Sequence, residues 1–426
     1  MINFFFLLVL TFITKTFAED YDFRLSLGHI KRNGDYVRIS VISNRTINSD
    51  IFTYQQQFKY RWTDKYLNTG LMKTKSGTNS FTVEDETFSF YVPSQTQGIV
   101  GLIFADPCLG DGKWVHCNNG QLFQTATRTP AMVNAINSHN DTHYWMLLGD
   151  NFYDQDGSLT DEFFDELTME SKLKLMVTVP GNHDYFVCGS PDCYNVTYDQ
   201  MANGFFQYYG QDSESGLTTE TFPYDFSVNP DNDPSAPIDE KLLRPNPMNF
   251  FIAQRLGNVG VIGYSGAGSW NETKDSFKDA CSSTAINTAD VIFVVGHWDA
   301  PGGGCQFGME IEAIHARLML LPECNSIPLK KFKYVYGHSH CNRQVGEAMS
   351  YNVAGQGMDG CTNYGFPVFD TTNGQFKVYH FLIQTAEEGS DKYEEIHDCI
   401  STNGVTQCYH LAEEWTVQSF EDMLVM

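Results

Sequence analysis

Five short apolar runs, each followed at once by polar residues, constrain this chain more than any other feature of its sequence. The runs are GLIFA (101–105), YWMLL (144–148), LKLMVTV (173–179), VIFVV (291–295) and FKYVY (332–336). Runs that are this short and almost continuously apolar are typical of strands buried on both faces. Helical stretches such as Pro130 to Ile136 and Met309 to Leu321 lie between the runs. This alternation predicts an α/β domain with buried, largely parallel strands.

Polar side chains follow each run, and a glycine precedes four of them, so the backbone can turn without a Cβ clash. The carboxyl ends of strands line the ligand crevice of an open α/β sheet, so we expect these side chains to converge. They are Asp106, Asp150, Tyr153, Asn182, His297, His338 and His340. Carboxylates, imidazoles, a phenol and an amide suit one harder and one softer metal ion that share a bridging carboxylate.

Each element taken alone has an ordinary explanation. Gly-Asp at a strand end is more often a turn than a ligand, and a single histidine such as His297 is more often packed than bound to metal. The GHSH sequence at 337–340 already favours metal, because two histidines follow one strand. The five strand ends in order therefore favour a metal site over a purely structural role.

The five strand ends, taken in order, resemble the motifs of the calcineurin-like metallophosphoesterase superfamily over about residues 97 to 385. Those motifs are D-x-G or D-x-H, GDxx, GNH[DE], a single H and GHxH. Tyr153 in GDNFY is typical of its purple acid phosphatase branch. The resemblance implies an α/β fold with a layered β-sheet core flanked by helices. Two departures stand out: Cys108 replaces the glycine or histidine of the first motif, and no second histidine follows His297 closely.

The resemblance also implies a role for each motif residue. A ferric ion would be held by Asp106, Tyr153 and His340. Asp150 would bridge it to a divalent ion (Fe, Zn or Mn) held by Asn182, His297 and His338. His183 would not be a ligand; it would steady a phosphate oxygen or protonate the leaving group.

The function expected from these roles is that of an acid phosphatase, which hydrolyses small phosphate monoesters by attack of a metal-bound hydroxide. A phosphodiesterase on the same metal pair is an alternative, because the ligands do not decide between the two substrates. A non-catalytic binding module that keeps the fold is a second alternative. A third is a serine hydrolase, because Gly263 to Ala267 nearly matches the G-x-S-x-G elbow.

The overall charge narrows the possible partners. The formal net charge of −25 argues against nucleic acids and anionic membrane surfaces, which are bound through Lys and Arg. An anionic substrate would therefore need a local positive centre, which a bound metal could supply.

The N-terminus predicts secretion or delivery to a lysosomal or vacuolar lumen. Residues 1–18 have the apolar core and the small-residue end of a cleaved signal peptide, so the mature chain should not be membrane-bound. N-glycans are possible at the sequons of Asn44, Asn140, Asn195 and Asn271. Eleven cysteines suit an oxidising compartment, and close spacing suggests the pairs Cys108–Cys117, Cys188–Cys193, Cys341–Cys361 and Cys399–Cys408.

The chain divides into four predicted segments. After the signal peptide (1–18), alternating apolar residues predict a small β-rich N-terminal unit (19–95). The catalytic domain would span 96–385, and an acidic C-terminal extension would follow (386–426).

Overall fold

The computed structural model describes residues 21–28, 34–57, 65–110, 115–186, 189–190, 202–213, 250–346, 349–387 and 389–415. The predicted signal peptide, the Asn195 sequon and the predicted Cys188–Cys193 pair lie outside these residues. Within the described residues, no helix has both the length and the apolar character needed to cross a bilayer.

The strands form two large sheets and one hairpin. Their bounds are β1 (Asp22–Leu27), β2 (Tyr36–Ser43), β3 (Tyr54–Gln57), β4 (Tyr66–Lys73), β5 (Gly77–Val83), β6 (Glu86–Val92), β7 (Val100–Phe104), β8 (Tyr144–Leu148), β9 (Leu175–Val179), β10 (Ile252–Leu256), β11 (Val259–Gly263), β12 (Val291–Val295), β13 (Phe332–Tyr336), β14 (Asn342–Val345), β15 (Ser350–Val353), β16 (Asn363–Asp370), β17 (Lys377–Thr385) and β18 (Glu413–Trp415). The larger sheet has the order β18-β17-β16-β7-β8-β9-β1-β2-β4-β3, the smaller has the order β10-β11-β12-β13-β15-β14, and β5 pairs with β6.

The helices have between 4 and 13 residues. Their bounds are α1 (Gly120–Phe123), α2 (Thr125–Asn137), α3 (Ser158–Asp165), α4 (Met169–Lys172), α5 (Asn182–Tyr185), α6 (Asn203–Tyr209), α7 (Trp270–Ser282), α8 (Thr284–Asn287), α9 (Ile311–Met319), α10 (Pro322–Asn325) and α11 (Tyr393–Asn403). The predicted helix at Met309 to Leu321 is confirmed as α9. The helix predicted to begin at Pro130 begins five residues earlier, with the proline inside it.

All five predicted strands are present, as β7, β8, β9, β12 and β13, but they belong to two sheets. β7, β8 and β9 are parallel neighbours in the larger sheet, whereas β12 and β13 are parallel neighbours in the smaller one. The crevice therefore lies where the carboxyl ends of two sheets meet, and not along the edge of a single sheet.

The two sheets pack face to face and bury an apolar layer between them. Ile103 and Val177 of the larger sheet share this layer with Val261 and Phe293 of the smaller one. Alternate residues of the same strands point outward and pack against helices: α2 and α3 cover the larger sheet, and α7 and α9 cover the smaller. The strands are almost entirely apolar because both of their faces are buried.

The N-terminal strands continue the larger sheet. β1 pairs in parallel with β9 and antiparallel with β2, so β1 to β4 extend the sheet beyond β9. The β-rich character predicted for 19–95 is confirmed for the described residues, and the boundaries of the four segments stay a prediction.

Three of the predicted disulfides are confirmed, namely Cys108–Cys117, Cys341–Cys361 and Cys399–Cys408. A fourth, Cys281–Cys324, joins α7 to α10. Close spacing could not reveal it, because its cysteines are 43 residues apart. Of the cysteines in the described residues, Cys305 alone is free.

Candidate metal centre

The loops after the five strands bring all seven predicted ligands together. Two groups of potential ligand atoms form, and within each group every atom lies within 4.8 Å of the others. One group contains Asp150, His297 and His338, and the other contains Asp106, Asp150 and His340. Tyr153 and Asn182 complete the set through the contacts described below. Asp150 is therefore shared, as a bridging carboxylate must be.

Asp150 is almost fully buried, and its two oxygens are used differently. Oδ1 accepts a hydrogen bond from the backbone N–H of His183 at 2.8 Å and lies 3.3 Å from His297 Nε2. Oδ2 is buried without a hydrogen-bond partner among the described residues. A buried, unpaired carboxylate oxygen is costly unless a cation or a donor occupies the adjacent position. The residues present therefore fit a bound metal pair.

The phenol side of the site consists of Asp106, Tyr153 and His340. The Tyr153 hydroxyl donates to Asp106 Oδ1 at 2.9 Å and lies 3.1 Å from His340 Nε2. Asp106 Oδ2 accepts the backbone N–H of His338 at 2.9 Å. These contacts converge three hard or borderline donor atoms on one point, which suits a highly charged cation.

The amide side consists of Asn182, His297 and His338. Asn182 Oδ1 lies 3.2 Å from His297 Nε2 and 3.0 Å from His338 Nδ1. One amide oxygen and two imidazole nitrogens, with Asp150 beside them, are donors that suit a divalent ion.

Backbone carbonyl groups orient two of the imidazoles. His297 Nδ1 lies 2.9 Å from the carbonyl oxygen of Leu148, and His340 Nδ1 contacts that of Asp359. Each Nδ1 can donate its proton to the carbonyl, which leaves Nε2 free to face the site. Such partners fix the tautomer of metal-binding histidines. Sequence reasoning missed them, because a carbonyl acceptor carries no side-chain signature.

Five of the seven predicted ligands have a left-handed backbone conformation, with φ between 50° and 71°. They are Asp106, Asp150, Tyr153, His338 and His340. Residues other than glycine seldom adopt this region, and each instance costs on the order of 1–3 kcal/mol. Strain that recurs at one set of side chains indicates that the fold holds them for a function.

The glycines before the ligands make room for neighbouring ligands. A Cβ at Gly181 would lie 2.2 Å from Asp150 Oδ1, and one at Gly337 would lie 2.4 Å from Asp106 Oδ2. Both distances are far below van der Waals contact. As predicted, these glycines avoid a Cβ clash. The atom that a Cβ would meet belongs to a predicted ligand that follows another strand.

The electrostatics of the site favour a bound cation. Burial, together with the nearby Asp106 carboxylate, raises the pKa of the Tyr153 phenol well above its ordinary value. Burial also raises the pKa of Asp106, with the charge of Asp150 adding to the effect. The imidazoles of His297 and His183 overcome the effect of burial on Asp150 and hold its pKa below the usual range. Acids crowded in this way ionise together only beside a compensating positive charge.

His183 lies beside the site and does not belong to either group of ligand atoms. Its ring is 4.9 Å from that of Tyr153 in an edge-to-face arrangement, and it is half-buried. The next residue, Asp184, accepts the backbone N–H groups of Asn151 and Gly181. It thereby ties the loop after β8 to the loop after β9, a positioning role that sequence reasoning did not assign.

The structure explains the first departure from the motif pattern and shows what the segment at the second one contacts. Cys108 forms its disulfide with Cys117, and this bond packs against Tyr153. In the loop after His297, a Cβ at Gly303 would lie 3.1 Å from the side chain of Asn182, so the loop passes close to the amide side. Ser265 of the serine-elbow alternative is buried, and its hydroxyl oxygen accepts the N–H of Ala267. That arrangement offers no exposed nucleophile.

Comparison with known proteins agrees with this geometry. A family model for calcineurin-like phosphoesterases matches residues 115–342, more than half of the chain. The chain belongs to the calcineurin-like phosphoesterase family. The matched segment contains every predicted ligand except Asp106, together with His183. A search of curated proteins found no match.

One solved structure shows a similar fold. This phosphoesterase is similar to the purple acid phosphatase PPD1 from yellow lupin (Lupinus luteus) seeds, with a TM-score of 0.52 and 13% sequence identity. The alignment covers 87% of this chain and 72% of the lupin chain. A putative 5'-nucleotidase from Staphylococcus aureus in complex with alpha-ketoglutarate aligns with a TM-score of only 0.33 and 12% identity, covering 72% and 58% of the two chains. The first of these likenesses establishes a purple acid phosphatase type of fold.

Proposed function

We propose that this phosphoesterase is a secreted acid phosphatase of the purple type, which hydrolyses small phosphate monoesters. The observation that carries the proposal is Asp150, which belongs to both groups of ligand atoms and whose buried Oδ2 has no hydrogen-bond partner among the described residues. Because the phenol lies on just one side of the site, the two sides suit different cations, a ferric ion and a divalent one.

The proposed ligands divide as the contacts do. Asp106, Tyr153 and His340 would hold the ferric ion, and Asn182, His297 and His338 would hold a divalent Fe, Zn or Mn ion, with Asp150 between them. When bound, such ions lower the pKa of a coordinated water molecule, which supplies a nucleophile at acidic pH, and they neutralise the charge of a phosphate ester.

The protein supplies the remaining steps through its own residues. His183 is half-buried at the edge of the site, and its backbone N–H holds the Asp150 carboxylate in place. Its imidazole is the group proposed to hold a phosphate oxygen or to give a proton to the leaving group. The choice between monoesters and diesters is proposed to depend on the segments after Tyr153 and after Asp184 and on residues 211–249, of which 214–249 lie outside the described residues.

The test is metal analysis combined with an ester assay. Protein secreted by a eukaryotic host should contain about two metal ions per chain, one of them iron, and should hydrolyse p-nitrophenyl phosphate far faster than bis(p-nitrophenyl) phosphate. Asp150→Ala should remove at least one metal and the activity. Asp275→Ala, which alters an exposed carboxylate on α7, is the matched control and should change neither.

Three results would overturn parts of the proposal. Full metal content and near-normal turnover in Asp150→Ala would contradict the bridging role. A faster reaction with the diester would favour the phosphodiesterase alternative. Metal-loaded protein without activity on either ester would favour a binding module.

A further inference from the structure

A groove lies at the opposite end of the strands from the metal centre. The outer face of the β5–β6 hairpin forms one wall, and the turn between α2 and β8, with α4 and the residues after it, forms the other. It encloses about 700 Å³, within the size range of small-ligand sites. The metal ligands follow the carboxyl ends of β7 and β8, whereas this groove adjoins their amino ends.

The hairpin wall is lined by hydroxyl groups and one aromatic ring. Phe90 belongs to the apolar core and also reaches the groove, while Thr78, Ser89 and Tyr91 face outward into it. Tyr91 exposes 45% of its surface, the largest value of any tyrosine in the described residues. Its hydroxyl donates to Gln97 Oε1 at 2.8 Å, so the ring is held in a fixed orientation.

The opposite wall contributes polar groups. Gln97 Nε2 lies 3.0 Å from His143 Nε2, and Lys174 donates to the carbonyl oxygens of His139 and Thr142. Asn137 at the floor of the groove is fully buried, and its side-chain amide has no hydrogen-bond partner among the described residues. Hydroxyl and amide groups around an exposed aromatic ring, with Lys174 and Glu170 also lining the groove, suit an occupant that combines hydroxyl groups with apolar C–H faces, which is the chemistry of a sugar.

The sequon Asn140-Asp141-Thr142 forms the rim of this groove. Asn140 is exposed and lines the groove, whereas the other two residues anchor the turn. The Thr142 hydroxyl donates to the carbonyl oxygen of Ile136 at 2.8 Å, and Asp141 Oδ2 accepts the N–H of Thr406 at 2.9 Å. An oligosaccharide attached to Asn140 would therefore start from a fixed point at the edge of the groove.

We propose that the oligosaccharide of N-glycosylated Asn140 folds back into this groove, with a sugar ring stacked on Tyr91. Covalent attachment makes the contact intramolecular, so weak stacking and hydrogen bonds are sufficient to hold the sugar. Asn44 and Asn271 are also exposed sequon residues, but they do not line this groove. The inference rests on the proposed secretion, because N-glycosylation requires entry into the secretory pathway.

The experiment compares glycan release from native and denatured protein secreted by a eukaryotic host. An endoglycosidase that cuts within the glycan core is applied to both, and glycopeptide mass spectrometry follows each site. The Asn140 glycan should be released at least about tenfold more slowly from native protein, because cleavage requires local opening. The glycan on Asn44 should show little difference.

Two variants test the contact itself. Tyr91→Ala removes the aromatic face and should abolish the native protection of the Asn140 glycan, whereas Tyr91→Phe keeps the ring and should preserve it. Equal release at Asn140 and Asn44 in native protein, or an unoccupied Asn140 beside an occupied Asn44, would overturn the inference. If no sequon were occupied in the secreted protein, the inference would fail, and the proposed phosphatase function would be unaffected. Metal content and activity test the proposed phosphatase separately, since neither should change in the Tyr91 variants.

Discussion

The buried imidazole of His380 should make the protein less stable in acid. His380 lies on β17, is only 3% exposed and packs with its ring centroid 4.9 Å from that of Trp415. Its Nε2 has no hydrogen-bond partner among the described residues. Burial lowers the pKa of His380 from 6.5 to about 3. The native protein therefore keeps this ring neutral at pH values where the unfolded chain protonates it.

The size of the effect follows from proton linkage. Below pH 6.5 the unfolded state binds a proton that the native state does not, so the free energy of unfolding falls until the pH approaches 3. At pH 5 the unfolded imidazole is about 1.5 pH units below its pKa, and at about 1.4 kcal/mol per unit this removes about 2 kcal/mol of stability. The proposed reaction works in the same pH range.

The perturbation is His380→Gln, which removes the titrating group from the site. Urea titrations at pH 8 and pH 5, with the disulfides intact, give the free energy of unfolding at each pH. The decrease from pH 8 to pH 5 should be about 2 kcal/mol smaller in the variant than in the wild type. Any pH-independent cost of the substitution cancels in this comparison.

His380→Asn is a second variant with the same expectation, because it also lacks the imidazole but fills the space differently. If both variants lost stability in acid as steeply as the wild type, His380 would already bind its proton in the native state. The assignment of a neutral buried imidazole would then be wrong.

Three further predictions concern the proposed metal centre. His183→Ala should keep both metals but lower turnover by roughly 10²–10⁴-fold. Rate measurements should show a smaller loss for activated aryl esters than for alkyl esters. Loss of a metal would instead make His183 a ligand. Oxidised wild-type protein should absorb visible light through phenolate-to-ferric charge transfer, and Tyr153→Phe should abolish that absorption band; a colourless, fully loaded wild type would leave Tyr153 as a packing residue. Gly181→Ala should displace the Asp150 carboxylate, because the new Cβ would lie 2.2 Å from its Oδ1. Metal analysis should then show less metal per chain than in the wild type, and an unchanged metal content would contradict the prediction.

The sequence predicted the strand ends well because each one combines two independent signals. An apolar run such as VIFVV (291–295) marks a strand buried on both faces, and the glycine and histidine after it mark its carboxyl end. Order along the chain then brought His297 and His338 into the same predicted set. The structure places both beside Asp150.

The pairing of strands could not be predicted in the same way. Runs such as YWMLL (144–148) and FKYVY (332–336) have the same apolar character, yet they belong to different sheets. Periodicity reports burial, and it does not report which strand lies alongside. Contacts with distant parts of the chain also decide where α2 begins. Pro130 lies inside this helix, because the buried contacts of Met132 and Ile136 outweigh the one backbone hydrogen bond that a proline removes.

The disulfides beside the site have a consequence for the order in which the protein matures. Cys108 is two residues from Asp106, and Cys341 directly follows His340. In a reduced chain their thiolates would be soft competitors for zinc or copper next to the ligands proposed for ferric iron. Once Cys108–Cys117 and Cys341–Cys361 have formed, these thiols are no longer available as donors. Oxidation before metal loading would thus remove competing sulfur donors next to the proposed ligands as well as stabilise the fold.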